Sequence, residues 1–370
     1  MISISEKRGN ASAPFVGVDT PFDQSLFAGI AFKPLLSKKR PFSENLEDSK
    51  FFLDYVFGKA LMKRFTGNSD SEHIYLKKYD IPQIELFNLL TEKFPLVRMG
   101  HECANHLLAD FLGKRKRPVL MDIGMGTGKQ LCSLLKTLAK TRANKLAHLT
   151  IIGMEPFSEA LAKGKAQVDE LAQSLPFGID FIPFNGFIEK TKTEELLDLI
   201  PKENDGIIVN ASFALHHIQR RAERLEAFQK LFKAGVDSIV LTEPHADHME
   251  PVFTKRFENC LHHYRLLFNI IDNLDIKEKE KGALKLFFSR EVEDVIGKGE
   301  EERVERHDLP GRWIDKLRKS GFEAVHHCLP NYNGEMGGRL RLSYHRGGYW
   351  QFEYEGESVI SLMHYERKSV

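Results

Sequence analysis

An open α/β fold, with a mostly parallel sheet, helices on both of its faces and an α-helical cap, is what this sequence predicts, on three observations. Between residues 119 and 244 short apolar runs alternate with amphipathic segments, and strands joined through helical crossovers lie parallel with helices covering both faces. The first apolar run passes directly into "MDIGMGTGKQ", where Gly124, Gly126 and Gly128 alternate. The end of the chain, "GGYWQFEYEGESVISLMHYER", alternates with the period of two of an antiparallel hairpin.

The elements follow in order. Residues 1–40 scatter Gly, Pro, Ser and Asn between short apolar groups and are expected to form an irregular arm. From Phe42 to Asp80, "ENLEDSKFFLDYVFGKALMKRF" spaces apolar residues three and four apart, which reads as a helix. A second helix is expected from Gln83 to Phe94, and a third runs up to Gly113 before Pro118 opens the first strand. The strands "VLMDI", "HLTIIGMEP", "IDFIPFNGF", "GIIVNASF" and "SIVLTEP" then alternate with the helices "LCSLLKTLAK", "FSEALAKGKAQVDELAQSL", "EELLDLI" and "RRAERLEAFQKLFKAG". At residues 246–299 the alternation gives way to two helices, "VFTKRFENCLHHYRLLFNIIDNL" and "KGALKLFFSREVEDVIGK", read as an insertion capping the carboxyl edge of the sheet. A helix at "GRWIDKLRKSG" and a strand at "FEAVHHCL" precede the final hairpin. The chain thus divides into an arm and cap helices at 1–94, the first part of the core at 95–245, the cap insertion at 246–299 and the rest of the core at 300–370.

Composition limits what such a fold can do. With 370 residues, 42% of them hydrophobic and 28% charged, the chain can bury one large core or two smaller ones. A net charge of +1 gives no global field to hold nucleic acid or an anionic membrane, so neither is an expected partner. The run "GKRKRP" between a helix and a strand reads as a solvated turn. Without an apolar leader behind basic residues or a long apolar span, a cytoplasmic location is expected. Cys103, Cys132, Cys260 and Cys328 are scattered and expected to be free thiols. Histidines pair at His216–His217, His245–His248 and His262–His263, but no H-E-x-x-H spacing occurs and no metal site is expected.

Open α/β sheets bind ligands at the carboxyl ends of their strands. A G-x-G-x-x-G turn would suggest a dinucleotide, whereas the G-x-G-x-G of Gly124, Gly126 and Gly128 behind Asp122 looks like a loop for S-adenosylmethionine, with S-adenosylhomocysteine as product. Glu155 ends the second strand, where a carboxylate can accept both ribose hydroxyls. Asn185 and Phe187 on the third strand suit the adenine edge and face, and Asn210 lies on the fourth. The plainer alternatives are that Phe187 is core packing and Asn185 caps a turn. His216 is the candidate general base and Glu243 its orienting partner, with His245, Arg256, Arg290, Glu305 and Arg306 on the side of a polar small-molecule acceptor. The alternative for these charges is a set of ion pairs tying the cap to the core.

The motifs also carry a family resemblance. "MGHECANHLLADFL", with His101, Ala104 and Asn105, followed by "MDIGMGTGKQ", with Asp122, Gly128 and Gln130, resembles the leucine-heptad and VHIID region of the GRAS family. "VNASFALHHI" is similar to its V-N-x-x-F-x-L-H, and the stretch from Leu241 to Leu274 resembles E-x-E-A-N-H-N, R-F and L-H-Y-Y through Glu243, Ala246, His248, Arg256 and Phe257. Arg290, Glu291, Arg303, Glu305, Arg306, His307 and Trp313 resemble the R-E-x-x-N-I-V and R-x-E-R-H-E segments. Pro244, His245 and Asp247 depart from the usual E-x-E-A-N pattern.

The resemblance implies a Rossmann-like class I methyltransferase core under a helical cap. Plant members are transcriptional regulators working mainly through protein contacts, and bacterial members look like small-molecule methylases. The complete glycine loop and the lack of a long low-complexity amino-terminal region favour the compact type. The expectation is therefore an S-adenosylmethionine-dependent methyltransferase acting on a small polar molecule. The alternative is a non-catalytic binding or regulatory scaffold protein with protein partners.

Overall fold

The computed structural model describes residues 49–66, 80–140, 145–330 and 335–368. The arm expected at residues 1–40 lies outside these, as do residues 42–48 and 67–79 of the first expected helix. Five strands form the parallel part of one sheet, in the order β3-β2-β1-β4-β5: β1 (Val119–Ile123), β2 (His148–Met154), β3 (Gly178–Phe184), β4 (Ile207–Ser212) and β5 (Ser238–Pro244). The sheet continues antiparallel through β9 (Glu357–Arg367), β8 (Tyr349–Tyr354) and β7 (Leu340–His345), with β6 (Phe322–Ala324) beside the end of β9.

The central strands are apolar on both sides because both sides are covered. In β1 every residue is buried: Leu120 joins one apolar cluster, and Val119, Met121 and Ile123 join the other. The first cluster includes α3 (Pro95–Gly113) and α4 (Lys129–Lys140), whose Leu131, Leu134, Leu135 and Leu138 form a helical stripe. The second includes α7 (Arg221–Lys233) and α10 (Pro310–Lys319), which contributes Trp313, Ile314 and Leu317. The other crossover helices are α5 (Ser158–Ala172) and α6 (Thr193–Leu199).

The cap is built from two distant parts of the chain. Helices α1 (Ser49–Thr66) and α2 (Gln83–Lys93) pack on α9 (Glu278–Gly297), which also packs on α8 (Phe253–Asp272). Phe52 stacks on Phe268 with ring centroids 5.8 Å apart, and Phe57 meets Phe257 edge-on at 5.3 Å. Such offset and edge contacts add to the burial of the rings themselves.

One expected strand is shorter than its segment, and one observed strand was not expected. "FEAVHHCL" forms a strand only at Phe322–Ala324, because that segment pairs with Tyr365–Arg367 while β8 occupies the same edge of β9 at residues 357–362. Conversely, β7 was not read from the sequence; it closes the antiparallel edge against β8.

Phe213 follows β4 with φ of 56°, a left-handed conformation that bulky residues rarely hold without compensation. The glycine turn after β1 also runs left-handed, with φ of 73°, 53° and 76° at Gly124, Gly126 and Gly128. A Cβ on Gly124 would meet the Cβ of Ala214 at 2.5 Å, while one on Gly126 would meet only Ile84 Cδ1 at 3.6 Å. Gly124→Ala is therefore expected to lower the unfolding free energy by roughly 2–4 kcal/mol, adding an overpacking cost to the left-handed one. Gly126→Ala should cost only about 1 kcal/mol. Denaturant melts giving equal losses would refute the close approach of the turn to Ala214.

Candidate functional site

At the carboxyl edge, loops from four neighbouring strands line a cavity of about 740 Å³ that includes its opening to solvent. Its walls are Gly124 and Gly126 after β1, Glu155 after β2, Phe187 after β3 and Phe213 after β4, with Ile84 and Phe87 of α2 closing over them. Glu155 is buried and accepts the backbone N–H groups of Gly126 at 2.9 Å and Phe157 at 3.1 Å. Burial pushes its carboxyl up to about 7, against the pull of those donors. It thus ties the end of β2 to the glycine turn, and its remaining lone pairs are available to hydroxyl donors.

The other expected cofactor residues separate into those at this cavity and those behind it. Phe187 lines it, with Lys190 Nζ 4.4 Å from the ring centroid. Asn185 does not; its amide donates to the carbonyls of Glu155 and Pro156, both at 2.9 Å, the turn-capping alternative. Asp122 and Asn210 are register partners on β1 and β4, and Asn210 Nδ2 donates to Asp122 Oδ1 at 2.8 Å. Ser212 and Gln130 extend this buried network, and Gln130 Nε2 reaches Asn105 Oδ1 at 3.3 Å. Burial raises the Asp122 carboxyl to about 6, and Asn210 opposes the rise. Asp122 lines a smaller cavity of about 390 Å³ that shares Gly124 and Gly126, together with His101 and Gln130.

His216 and Glu243 do meet. In the short 3-10 turn Leu215–His217, His216 Nδ1 lies 2.6 Å from Glu243 Oε2, whose other oxygen accepts the Leu215 N–H at 2.8 Å. On the opposite side of the ring, Nε2 lies 3.3 Å from Glu305 Oε2. His217 Nδ1 is 3.4 Å from Glu305 Oε1, and His307 Nε2 is 3.5 Å from Glu305 Oε2. Burial works against a charged His216, but Glu243 and Glu305 outweigh it and push the ring up to about 10. The imidazolium is held between two carboxylates, and His217 rather than His216 lines the 740 Å³ cavity. The donor atoms of His216, Glu305 and His307 lie within 4.8 Å of one another, a spacing a cation could bridge, but the proton on His216 already serves the same carboxylate.

The expected acceptor-side residues do not converge. His245 Nδ1 pairs with Ser361 Oγ at 2.8 Å, and burial lowers its ring to about 4. Arg256 and Arg306 both reach Glu300, at 3.1 and 2.5 Å, where Arg303 joins them at 2.8 Å. Arg290 donates to the Ile81 carbonyl at 2.9 Å and to Gln83 Oε1 at 3.0 Å, fastening α9 to the start of α2. Only Glu305 stays with His216; the other charges tie the cap and its flanks together.

Two residues central to this arrangement were not singled out in the sequence. Arg224 is fully buried and donates to the carbonyls of Ile218, His216 and Arg306 while its guanidinium lies 4.4 Å from the Trp313 ring. Its position within "RRAERLEAFQK" looks like a solvated helix face, and no local signal marks it. Asp294 accepts the N–H groups of Val304 and Glu305, both at 2.7 Å, and so sets where Glu305 points.

Because the folded pKa of His216 lies above its unfolded value of about 6.5, its contribution to stability is complete below that pH and is lost as pH rises toward 10. Unfolding free energy should fall across this window with a slope of up to ~1.4 kcal/mol per pH unit. Glu243→Gln should flatten that fall at its alkaline end. Identical pH profiles for the two proteins would mean that His216 is not held as an imidazolium by Glu243.

Comparison with known proteins gives the arrangement its relatives. The model of the GRAS domain family matches residues 40–363. DELLA protein GAI of Gossypium hirsutum is 29% identical over 279 residues, 73% of this chain and 51% of that protein. DELLA protein RGL3 of Arabidopsis thaliana is 27% identical over 242 residues, 62% of this chain and 45% of that protein. The chain spans about half the length of the curated relatives it matches. The crystal structure of SCL7 in Oryza sativa has the same fold, with a TM-score of 0.73 and 18% identity over 93% of this chain and 99% of that one. With the family's model matching most of its length, this chain belongs to the GRAS domain family.

Proposed function

We propose that this protein is a ligand-binding regulatory member of its family, with a class I methyltransferase-like core that holds an S-adenosylmethionine-type nucleoside and acts through protein partners rather than by turnover. The strand order 3-2-1-4-5 followed by antiparallel strands supports that core. The residues at the cavity fit such a ligand: Gly126 presents no side chain, Glu155 has lone pairs for ribose hydroxyls, and Ile84 and Phe187 offer apolar faces to a base. Bound there, the ligand would supply an electrophilic methyl group.

One observation carries the non-catalytic reading. The acid–base pair nearest the acceptor side, His216 with Glu243, is buried, mutually paired and turned away from the cavity, so it has no lone pair with which to take a proton. The resemblance to regulators acting through protein contacts, and the match to DELLA proteins, support the same reading. Its near-neutral charge suits a cytoplasmic protein with no direct nucleic-acid contact. The second reading, methyl transfer, draws on His217, which does line the cavity and stands beside Glu305.

Calorimetric titration tests the proposal. S-adenosylmethionine and S-adenosylhomocysteine should both bind, and Gly126→Leu should abolish binding in a protein that remains folded. Glu155→Ala should weaken both by ~1.5–3 kcal/mol, roughly 10- to 150-fold, and the variant should lose less than wild type when the ribose lacks a hydroxyl. Absence of binding to wild type would end the nucleoside reading. Turnover on any acceptor, lowered ~100-fold by His217→Ala with ligand affinity kept, would replace the regulatory reading with the enzymatic one.

A further inference from the structure

A second cavity, of about 490 Å³, lies beneath the cap, between α2, α3, α8 and α9 and the adjoining ends of β5 and β9. Phe87 and Phe213 form a wall common to both cavities, their ring centroids 6.5 Å apart. The rest is mainly apolar, including Phe94, Leu267, Phe287, Phe288 and Ile360. Protein interiors are close-packed, so an apolar compound entering this space would gain dispersion contacts with the rings that line it.

One end is different. His216, His263, Glu291 and His307 line it together. His307 is 2% exposed, and its Nδ1 has no hydrogen-bond partner. With Nε2 turned toward Glu305 at 3.5 Å and carrying the ring proton there, Nδ1 is left as a buried acceptor. Glu291 accepts the Tyr264 hydroxyl at 2.8 Å, and burial raises its carboxyl well above the usual range. Burial lowers the rings of His263 and His307, disfavouring their charged forms. The His216 ring, also at this end, is committed to Glu243 and Glu305.

We propose that the cavity beneath the cap is a second ligand site, for an uncharged hydrophobic ring compound whose single hydroxyl donates to His307 Nδ1. A carboxylate would bring a second anion toward Glu305, and an ammonium would lose its hydration against apolar walls. The site is separate from the nucleoside cavity and does not depend on what occupies that one. The small polar molecule expected from the sequence does not suit these walls.

Binding of three probes to the full chain tests this by calorimetry: 2-naphthol, 2-methoxynaphthalene, which lacks the hydroxyl donor, and 2-naphthoate, which is anionic. The naphthol should bind at least ~10-fold more tightly than either analogue, the factor that one buried hydrogen bond contributes. Leu267→Trp or Leu90→Trp, each filling the cavity from a different helix, should weaken it by a further ~10-fold or more in whichever variant folds. Gly126→Leu should leave its affinity unchanged, and S-adenosylmethionine should not compete. Equal affinities for the three probes, no binding of the naphthol, or unaltered binding in a folded tryptophan variant would overturn the proposal. Competition by S-adenosylmethionine would overturn it too, by putting the probe in the first cavity.

Discussion

A buried imidazolium between two carboxylates, His216 with Glu243 and Glu305, is the interaction on which the carboxyl edge of this protein depends. Each charge alone would be prohibitively unfavourable in that interior, and removing one partner of such a set typically costs about 3–5 kcal/mol because the others are left uncompensated. The three residues come from the turn after β4, the end of β5 and the segment that follows the cap, so their attraction fixes three remote parts of the chain against one another. Arg224 repeats the linkage in backbone terms, its one guanidinium binding carbonyls from residues 216, 218 and 306.

This fastening accounts for many of the ionisable groups gathered at the carboxyl edge. Asp294 and Lys298 pair at 2.7 Å while Asp294 also holds the backbone of residues 304 and 305. Glu300 gathers Arg256, Arg303 and Arg306, which keep its carboxyl at about 2 even though burial acts the other way. Charge here is spent on positioning. The first cavity is the reverse: the glycine turn, Phe187 and Phe213 present backbone and apolar surface, and of its two acids, Glu155 and Glu189, the first is already engaged with that turn.

The two cavities follow from how the cap is assembled. Because α1 and α2 come before the sheet and α8 and α9 come late in it, the cap closes only when both ends of the domain are folded. Phe87 from the early part and Phe213 from the sheet then meet between the cavities. The left-handed backbone at Phe213, held by its N–H to the Thr242 carbonyl at 2.8 Å, turns the aromatic ring into that wall, a strained conformation of the kind that persists where the surroundings fix it.

The sequence by itself determined the periodic features: the alternation of apolar runs and amphipathic helices set the five parallel strands, the left-handed glycine turn followed from "GMGTG", and "YWQFEY" gave an antiparallel strand. These are local, since strand and helix periods and glycine's backbone freedom act within a few residues. It also brought His216 and Glu243 to neighbouring strand ends, because adjacent parallel strands end side by side. Only the tertiary structure decided which face of each residue mattered. Asn210 and Asp122 turned to one another beneath the loop, Asn185 turned to the chain, and His217 instead of His216 turned to the cavity. Side-chain direction at a strand end depends on which partner sits across the fold. For a buried charge that partner is whatever opposite charge the packing delivers, here Glu305 from nearly ninety residues away, which no local period encodes.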